Sequence, residues 1–578
     1  MTTLPMSESR LASLGARTIS SAYVGLEQEF RDVTGRAAGR FDTRDWSGMA
    51  ADARERLNLY GQVAKDTAAE IELLLGVQSH DKSVWAAMKA AYSAFAMDRQ
   101  DFELAETFFN SITRRTFATV GVDPRIEFVD TDFSTPPTAS ESPPFRAYEG
   151  GGSTRFLMNS ALKDVGFDTV ADVTEAALLL DEQIFPEIVD RLEFATNVFY
   201  RSKGAYLVGR VIAGPTSTPV AIALEHGDQG VGVDAVLLTE DLVSVLFSFA
   251  HSYFHVSSER PYDLVRFLNE LLPRKRHSEL YISLGHTRHG KTELFRELRR
   301  HLKASGESFV EPPGKEGLVM SVFTLPGFEM VLKVIKDYFP PQKTMTPRQV
   351  MDKYRLVYLH DRAGRLVDSQ SFEHLQFMAD RFEPALLTDL LEECSRSVRL
   401  VGDKVEIDLA YVQRRVHPLD VYINEVTEDR ATDAVIDYGE AIRDLAVTGI
   451  FPGDLLIKNF GVTRNGRVVF YDYDELTEMS ECKFRELPQS SSIDDEMSAV
   501  PWFPVGPDDV FPAEFSTFLG MTGRVKSAFV DHHADLFEAA WWSAAQGRLT
   551  SGEIVSIYPY PEEARVTRPQ VSASSGDS

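Results

Sequence analysis

The sequence predicts an α+β protein: a mainly helical N-terminal half followed by a two-lobed unit in which strands come first and helices later. Three observations carry this. Apolar residues recur at intervals of three and four through long stretches of the first half. Short β-branched and aromatic runs bounded by Gly, Pro or charged residues begin after about residue 305. At 578 residues the chain is several times the size of a single core, so two or more packed units are expected. Apolar residues at 43% and charged residues at 25% match ordinary globular proteins, which excludes bulk disorder.

Taken in order, Leu57, Tyr60, Ala64, Ala68, Ile71 and Leu75 share one helical face between Met49 and Gly76. The same spacing predicts helices within 83–118, 172–200 and 238–256. Residues 131–154 hold four prolines and three consecutive glycines, a composition that sustains neither periodicity, so a long surface loop is expected. Strands are predicted over 318–325, 329–335, 354–359 and 468–473, and helices over roughly 373–396 and 430–448. The second helix is stopped by Thr448-Gly-Ile-Phe-Pro-Gly453. Five prolines in 483–515 predict an extended loop. The expected organisation is a helical domain over 1–308, a two-lobed domain over 309–560 and a flexible tail over 561–578.

Sixty Lys and Arg against 87 Asp and Glu leave a formal charge of −27, which repels a polyanion along most of the surface. Nucleic acid is not an expected partner. Cys394 and Cys482 are too few for a disulfide framework and lack the CxxC spacing of a metal or redox site, so both are read as reduced. No signal peptide is recognisable and no apolar run approaches about 20 residues, so a cytoplasmic protein without a membrane partner is expected.

Residues 285–292 read Gly-His-Thr-Arg-His-Gly-Lys-Thr, a full match to GxxxxGK[ST] between a possible strand at 280–284 and a helical 293–302. In a phosphate-loop reading the amides cradle phosphates, Lys291 neutralises charge and Thr292 holds magnesium. The context opposes this, because about 280 mainly helical residues precede the motif and no βαβ unit surrounds it. A structural turn is the leading reading; a helix start that meets a phosphate and a phosphate-loop ATPase stand as alternatives.

A second constellation carries more chemistry. Asp454 is followed by Lys458 and Asn459, and Asp472 stands 13 residues after Asn459 at the end of the apolar run beginning at Val468. Protein-kinase catalytic loops use this arrangement. Phosphoryl transfer needs one carboxylate to orient the attacking hydroxyl, and an Asn amide with a second carboxylate to hold magnesium on the triphosphate. Singly, each of these residues is as readily a turn, a cap or a surface carboxylate; the spacing of all three points to catalysis. Upstream, Pro312-Pro313-Gly314-Lys315-Glu316-Gly317-Leu318 offers a glycine-bearing lid, and Lys333 follows on the next strand among Val331 and Ile335. A charge placed there is costly unless an anion meets it. A lysine snorkelling from an edge strand is the alternative, with Lys336 as a solvated control. Tyr411-Val-Gln-Arg-Arg415 is a candidate hinge for adenine.

With Pro313-Gly314, Gly317 to Met320, Val334 to Asp337 and Phe451 to Asp474, the chain resembles the bacterial isocitrate dehydrogenase kinase/phosphatase family over nearly its whole length. The resemblance implies a helical regulatory domain and a protein-kinase-like domain whose one active site phosphorylates a serine of isocitrate dehydrogenase and removes that phosphate, controlling flux into the glyoxylate bypass. It implies ATP and Mg2+, with AMP as effector. By position it assigns the lid to Pro312, Pro313, Gly314, Lys315, Glu316, Gly317 and Leu318, the ATP anchor to Lys333, the kinase base to Asp454 with Lys458 beside it, and the metal to Asn459 and Asp472. It also assigns a phosphatase carboxylate, Asp368, which residue chemistry alone reads as a surface residue or helix cap. For the dehydrogenase, 483–515 is the candidate docking loop, with Phe484, Trp502 and Phe503 as anchors. A nucleotide-sensing pseudoenzyme is the competing class. No His-Arg precedes Asp454, Asp472-Tyr473-Asp474 stands at the Asp-Phe-Gly position, and the carboxylate partner of Lys333 is not placed.

Overall fold

The computed structural model describes residues 8–131, 134, 142–150, 153–314, 317–341, 343, 345–360, 362–453, 455–488 and 503–566. The chain divides into two compact units. One comprises 1–247, 253–300 and 558–578; the other comprises 248–252 and 301–557.

The first unit opens with helices Glu8–Asp42, Trp46–Leu75, Lys82–Ala96 and Phe102–Phe117. Buried Ala12, Ala16, Ile19, Tyr23 and Leu26 form a three-and-four stripe on the first, a helix for which the sequence carried no expectation. Asp45 caps the second, accepting from the Gly48 amide at 2.9 Å, and Gly76 ends it at φ +55°. The helical expectation for 172–200 holds only for Val173–Ile184, and that for 238–256 only for Glu240–Leu246. Between them lies an antiparallel sheet of six strands that the sequence reading missed. Phe145–Glu149, Arg191–Ala195, Gly204–Ala213, Thr216–Gly227 and Gly230–Leu237 are successive neighbours, with Phe199–Arg201 paired to Gly204–Ala213. Its central strands, Gly204–Ala213 and Thr216–Gly227, carry continuous buried runs, so they show apolar runs in place of alternation. The strand Phe145–Glu149 also lies inside the expected 131–154 loop. The tail is ordered further than expected: Tyr560 Oη donates to Asp234 at 2.6 Å, and the Val566 amide donates to the Asp234 carbonyl at 2.8 Å.

The second unit begins with a five-stranded antiparallel sheet. Met320–Leu325 pairs with Phe328–Ile335, which pairs with Lys404–Arg414. Lys404–Arg414 also pairs with Ser369–Met378 and Val398–Val401. The strand expected over 354–359 belongs instead to helix Pro347–His360. The helix expected over 373–396 divides into strand Ser369–Met378 and helix Pro384–Glu393, with Pro384 in the first turn where its missing N–H costs nothing. Helix Glu428–Val447 forms as expected and buries Ala434, Val435, Tyr438, Ala441, Ile442 and Leu445 against Phe460, Phe470, Phe529 and Trp542. In the proline-rich stretch Lys483–Phe484 pairs in parallel with Asp509–Val510. Phe484 stacks on Trp542 and Phe503 packs edge-on against Phe511, so both expected anchors are engaged internally, while Trp502 lies outside the described residues. Cys394 and Cys482 are free and buried. Among the described residues no helix is long and apolar enough to cross a membrane.

Candidate active site

Within the second unit a cleft of about 1200 Å3 is lined by Pro312, Pro313, Gly314, Gly317, Leu318, Lys333, Lys458, Asn459 and Asp472. Nine of the residues singled out in the sequence thus converge on one cavity. Lys315, Glu316 and Asp454 lie outside the described residues. Gln413, Arg414 and Arg415 of the expected hinge also line the cleft, at the end of Lys404–Arg414 where Tyr411 faces Lys333 in register.

The segment that positions Lys458 and Asn459 is built from short pieces. Strand Ile450–Phe451 is followed by Leu455 at φ +50°, an unusual conformation for a non-glycine residue, then by a single 3-10 turn Ile457–Asn459 and strand Phe460–Val462. Strand Val468–Phe470 runs antiparallel to Phe460–Val462 and delivers Asp472. Tyr471 ties the parts together. Its amide donates to the Asn459 carbonyl at 3.1 Å, its hydroxyl to the Lys458 carbonyl at 2.6 Å, and its carbonyl accepts from Lys333 Nζ at 2.8 Å. The Lys333 ammonium also lies 5.1 Å from the centroid of the Tyr471 ring. One residue beside Asp472 therefore sets the spacing of the lysine, the asparagine and the carboxylate.

Lys333 is only 4% exposed. Burial lowers its pKa below the ordinary lysine value, and the nearby Asp472 and Asp474 carboxylates oppose that shift without cancelling it. These carboxylates stand where the sequence reading could not place a partner. The supposed control, Lys336, is not solvated: it is 7% exposed and pairs with Glu393 at 2.9 Å. Lys343, which no sequence signal marked, also lines the cleft. It bridges Asp474, at 2.9 Å, and Glu475. Burial alone would lower its pKa, but those two acids outweigh it and hold the ammonium above its ordinary value. Below the cleft, buried Arg365 pairs with Asp437 at 2.8 Å and Asp444 at 2.7 Å, and Asp437 lines the cavity.

Comparison with known proteins decides the family. The model of the isocitrate dehydrogenase kinase/phosphatase (AceK) regulatory domain matches residues 16–306, and that of the kinase domain of the same family matches 307–562. The isocitrate dehydrogenase kinase/phosphatase of Anaeromyxobacter sp. (strain Fw109-5) is 50% identical over 567 residues, 96% of this chain and 98% of the relative. The one of Xanthomonas campestris pv. campestris (strain 8004) is 40% identical over 576 residues, covering 97% and 99%. The chain belongs to the isocitrate dehydrogenase kinase/phosphatase family. It is a kinase and phosphatase enzyme, and its kinase domain uses ATP.

The remaining sequence candidates fall differently in this kinase/phosphatase. Asp368 does not cap a helix; it immediately precedes strand Ser369–Met378. Leu366 bridges Phe470 in parallel, so Asp368 and Asp472 each stand two residues beyond the same point. Asp368 is not among the cleft-lining residues. Its carboxylate accepts from Gln370 Nε2 at 3.1 and 2.9 Å. The GxxxxGKT match is structural. Its expected strand at 280–284 is helix His277–Ser283, and Gly290, Lys291 and Thr292 lie inside helix Thr287–Ala304. A Cβ at Gly290 would stand 2.5 Å from the Ser278 carbonyl oxygen, so the glycine lets two helices approach. Thr292 Oγ1 donates to the Arg288 carbonyl at 2.9 Å within its own helix. These residues form no loop that could wrap a phosphate, which overturns the phosphate-loop reading.

Proposed function

We propose that the enzyme phosphorylates a serine of isocitrate dehydrogenase with ATP, inactivating it, and removes that phosphate at the same site, controlling flux between the tricarboxylic acid cycle and the glyoxylate bypass. The observation that carries the reading is the convergence of Pro312, Pro313, Gly314, Gly317, Leu318, buried Lys333, Asn459 and Asp472 on one cleft, with Tyr471 linking the last three.

In this reading Lys333 grips the phosphates of ATP, and its low-dielectric setting strengthens the contact. Asn459 and Asp472 present the oxygen donors that a hard divalent cation takes, so the donor set fits Mg2+. A cation held there supplies neutralisation of triphosphate charge. Asp454 orients the serine hydroxyl and accepts its proton as the oxygen attacks the γ-phosphorus and the bond from that phosphorus to the β–γ bridging oxygen breaks, releasing ADP, with Lys458 beside the transferring group. In the reverse direction Asp368 takes a proton from the attacking water, the serine Oγ–P bond breaks, and the serine oxygen takes a proton from solvent. AMP acts as an effector of the balance between the two reactions. The 483–515 stretch docks the dehydrogenase, and Phe484 and Phe503 serve it by holding the ends of that stretch against Trp542 and Phe511. The enzyme works in the cytoplasm with its protein substrate.

The experiment is a comparison of single variants. Asp454→Asn should lose kinase activity, Asp368→Ala phosphatase activity, and Asp472→Asn both; phosphatase rates with and without AMP test the effector. A set of variants in which both activities always fall in equal proportion would contradict the assignment of separate carboxylates.

A further inference from the structure

Asp368 has a second neighbour from a distant part of the chain. Residues 248–252 pack with the kinase unit, although residues 247 and 253 on either side belong to the other unit. Three features hold this short stretch in place. The Phe249 ring lies against Gly364, where any Cβ would stand 2.7 Å from the ring and φ is +64°. Ala250 is fully buried in the kinase core. His251 is held at φ +57°, a conformation that persists for a non-glycine residue only when its surroundings fix it.

The His251 side chain is 6% exposed, and its Nε2 stands 3.2 Å from Asp368 Oδ1. The approach is close but not aligned as a hydrogen bond. The carboxylate accepts from buried Gln370 and has in buried His251 a neighbour that limits its rotation, while its own side chain keeps 31% exposure. Burial pushes the His251 pKa down to about 3, so the ring is neutral in the working range and orients by its dipole and shape. The groups proposed for phosphoryl transfer from ATP are tied instead through Tyr471, which His251 does not share.

We propose that His251 is a positioning residue for the phosphatase reaction alone: it aims the Asp368 carboxylate at the water that attacks phosphoserine. This rests on the assignment of Asp368 made above. Hydrolysis forms the water oxygen–phosphorus bond and breaks the Oγ–P bond, and the water proton passes to Asp368, which accepts it only when one oxygen lies within hydrogen-bond range. Misplacement on the order of 1 Å costs about 10²-fold in such reactions.

The test measures both activities in the same preparations of His251→Leu, His251→Gln and Asp368→Ala, with the phosphorylated and unphosphorylated dehydrogenase as substrates. His251→Leu should lower the phosphatase kcat by about 10- to 100-fold. The KM for the phosphorylated protein and the kinase kcat should stay unchanged. His251→Gln, which keeps a polar side chain of comparable reach beside the carboxylate, should restore most of the loss, and in an Asp368→Ala background His251→Leu should cost nothing further. If His251→Leu does not fold, the same split is expected between His251→Gln and the shorter His251→Asn. Equal loss of both activities, or full phosphatase activity without the histidine while Asp368→Ala is inactive, overturns the role of His251. Full phosphatase activity in Asp368→Ala overturns the assignment of Asp368 itself, and the positioning role with it.

Discussion

Replacing Lys333 by Met removes one charge and little volume from the cleft, and its consequences for binding and for stability have opposite signs. The lysine donates to the Tyr471 carbonyl at 2.8 Å and is 4% exposed. A charge-assisted hydrogen bond to a phosphate contributes about 1.5–3 kcal/mol, and 1.4 kcal/mol is about tenfold in an equilibrium constant. The Kd for ATP should therefore rise about 10- to 150-fold, and both activities should fall, because both are assigned to one site. Stability should not fall. Burial depresses the folded-state pKa of Lys333 below that of the unfolded chain. Below the folded value both states are protonated, and burial of the charge is a net cost that the Asp472 and Asp474 carboxylates offset only in part. Between the folded and unfolded values the unfolded chain binds more protons, so wild-type stability rises with pH in that alkaline window. The Met variant should lack this rise and melt no lower than wild type at pH 7. Calorimetric titration with ATP, paired with melting curves at pH 7 and above pH 9, makes the comparison. Wild-type ATP affinity, or a lowered Tm with activities lost in step with unfolding, would refute the reasoning.

Other outcomes follow from neighbouring residues. Asp454→Asn should reduce kinase turnover by about 10²- to 10⁴-fold while ATP binding by titration is retained; a wild-type rate would remove Asp454 as the base. Asp368→Ala should abolish release of phosphate from the phosphorylated dehydrogenase, retain kinase activity and melt normally, since the residue precedes a strand and caps nothing. Arg365→Met should destabilise the kinase unit by about 1–3 kcal/mol because it leaves the half-buried Asp437 and Asp444 without their counter-charge. Although burial alone would raise it, the Asp437 pKa is held below the usual carboxylate value by Arg365. That stability is present above the unfolded value near 3.9 and is lost as pH falls through the folded value. Urea midpoints at pH 7 and pH 3 should converge for wild type and variant at the acid end.

Much of this site was legible because its chemistry is local in sequence. The lid, Lys333 and the 458–472 stretch lie on a hairpin and on short consecutive turns, so spacing alone brought them to one cleft. Residues brought together across the fold left no such trace. His251 meets Asp368 from 117 residues upstream, Lys343 meets Asp474 across 131 residues, and Arg365 meets Asp437 across 72. In the fold, amphipathic helices were readable where one face meets solvent. The six-stranded sheet escaped because its central strands carry continuous buried runs and lose their alternation. The stretch 373–396 divides into a strand and a helix because Pro384 fits the first turn of a helix and not its interior, so the residues before it form a separate element.

The most direct test of the central claim is to incubate the enzyme with ATP, Mg2+ and isocitrate dehydrogenase and to follow serine phosphate on the dehydrogenase in both directions. Phosphate should appear on one serine while dehydrogenase activity falls, and should leave again on a change of effector, with Lys333→Met impaired in both phases. A protein that binds ATP yet neither adds nor removes that phosphate would be a nucleotide-sensing pseudoenzyme, and the account would be wrong.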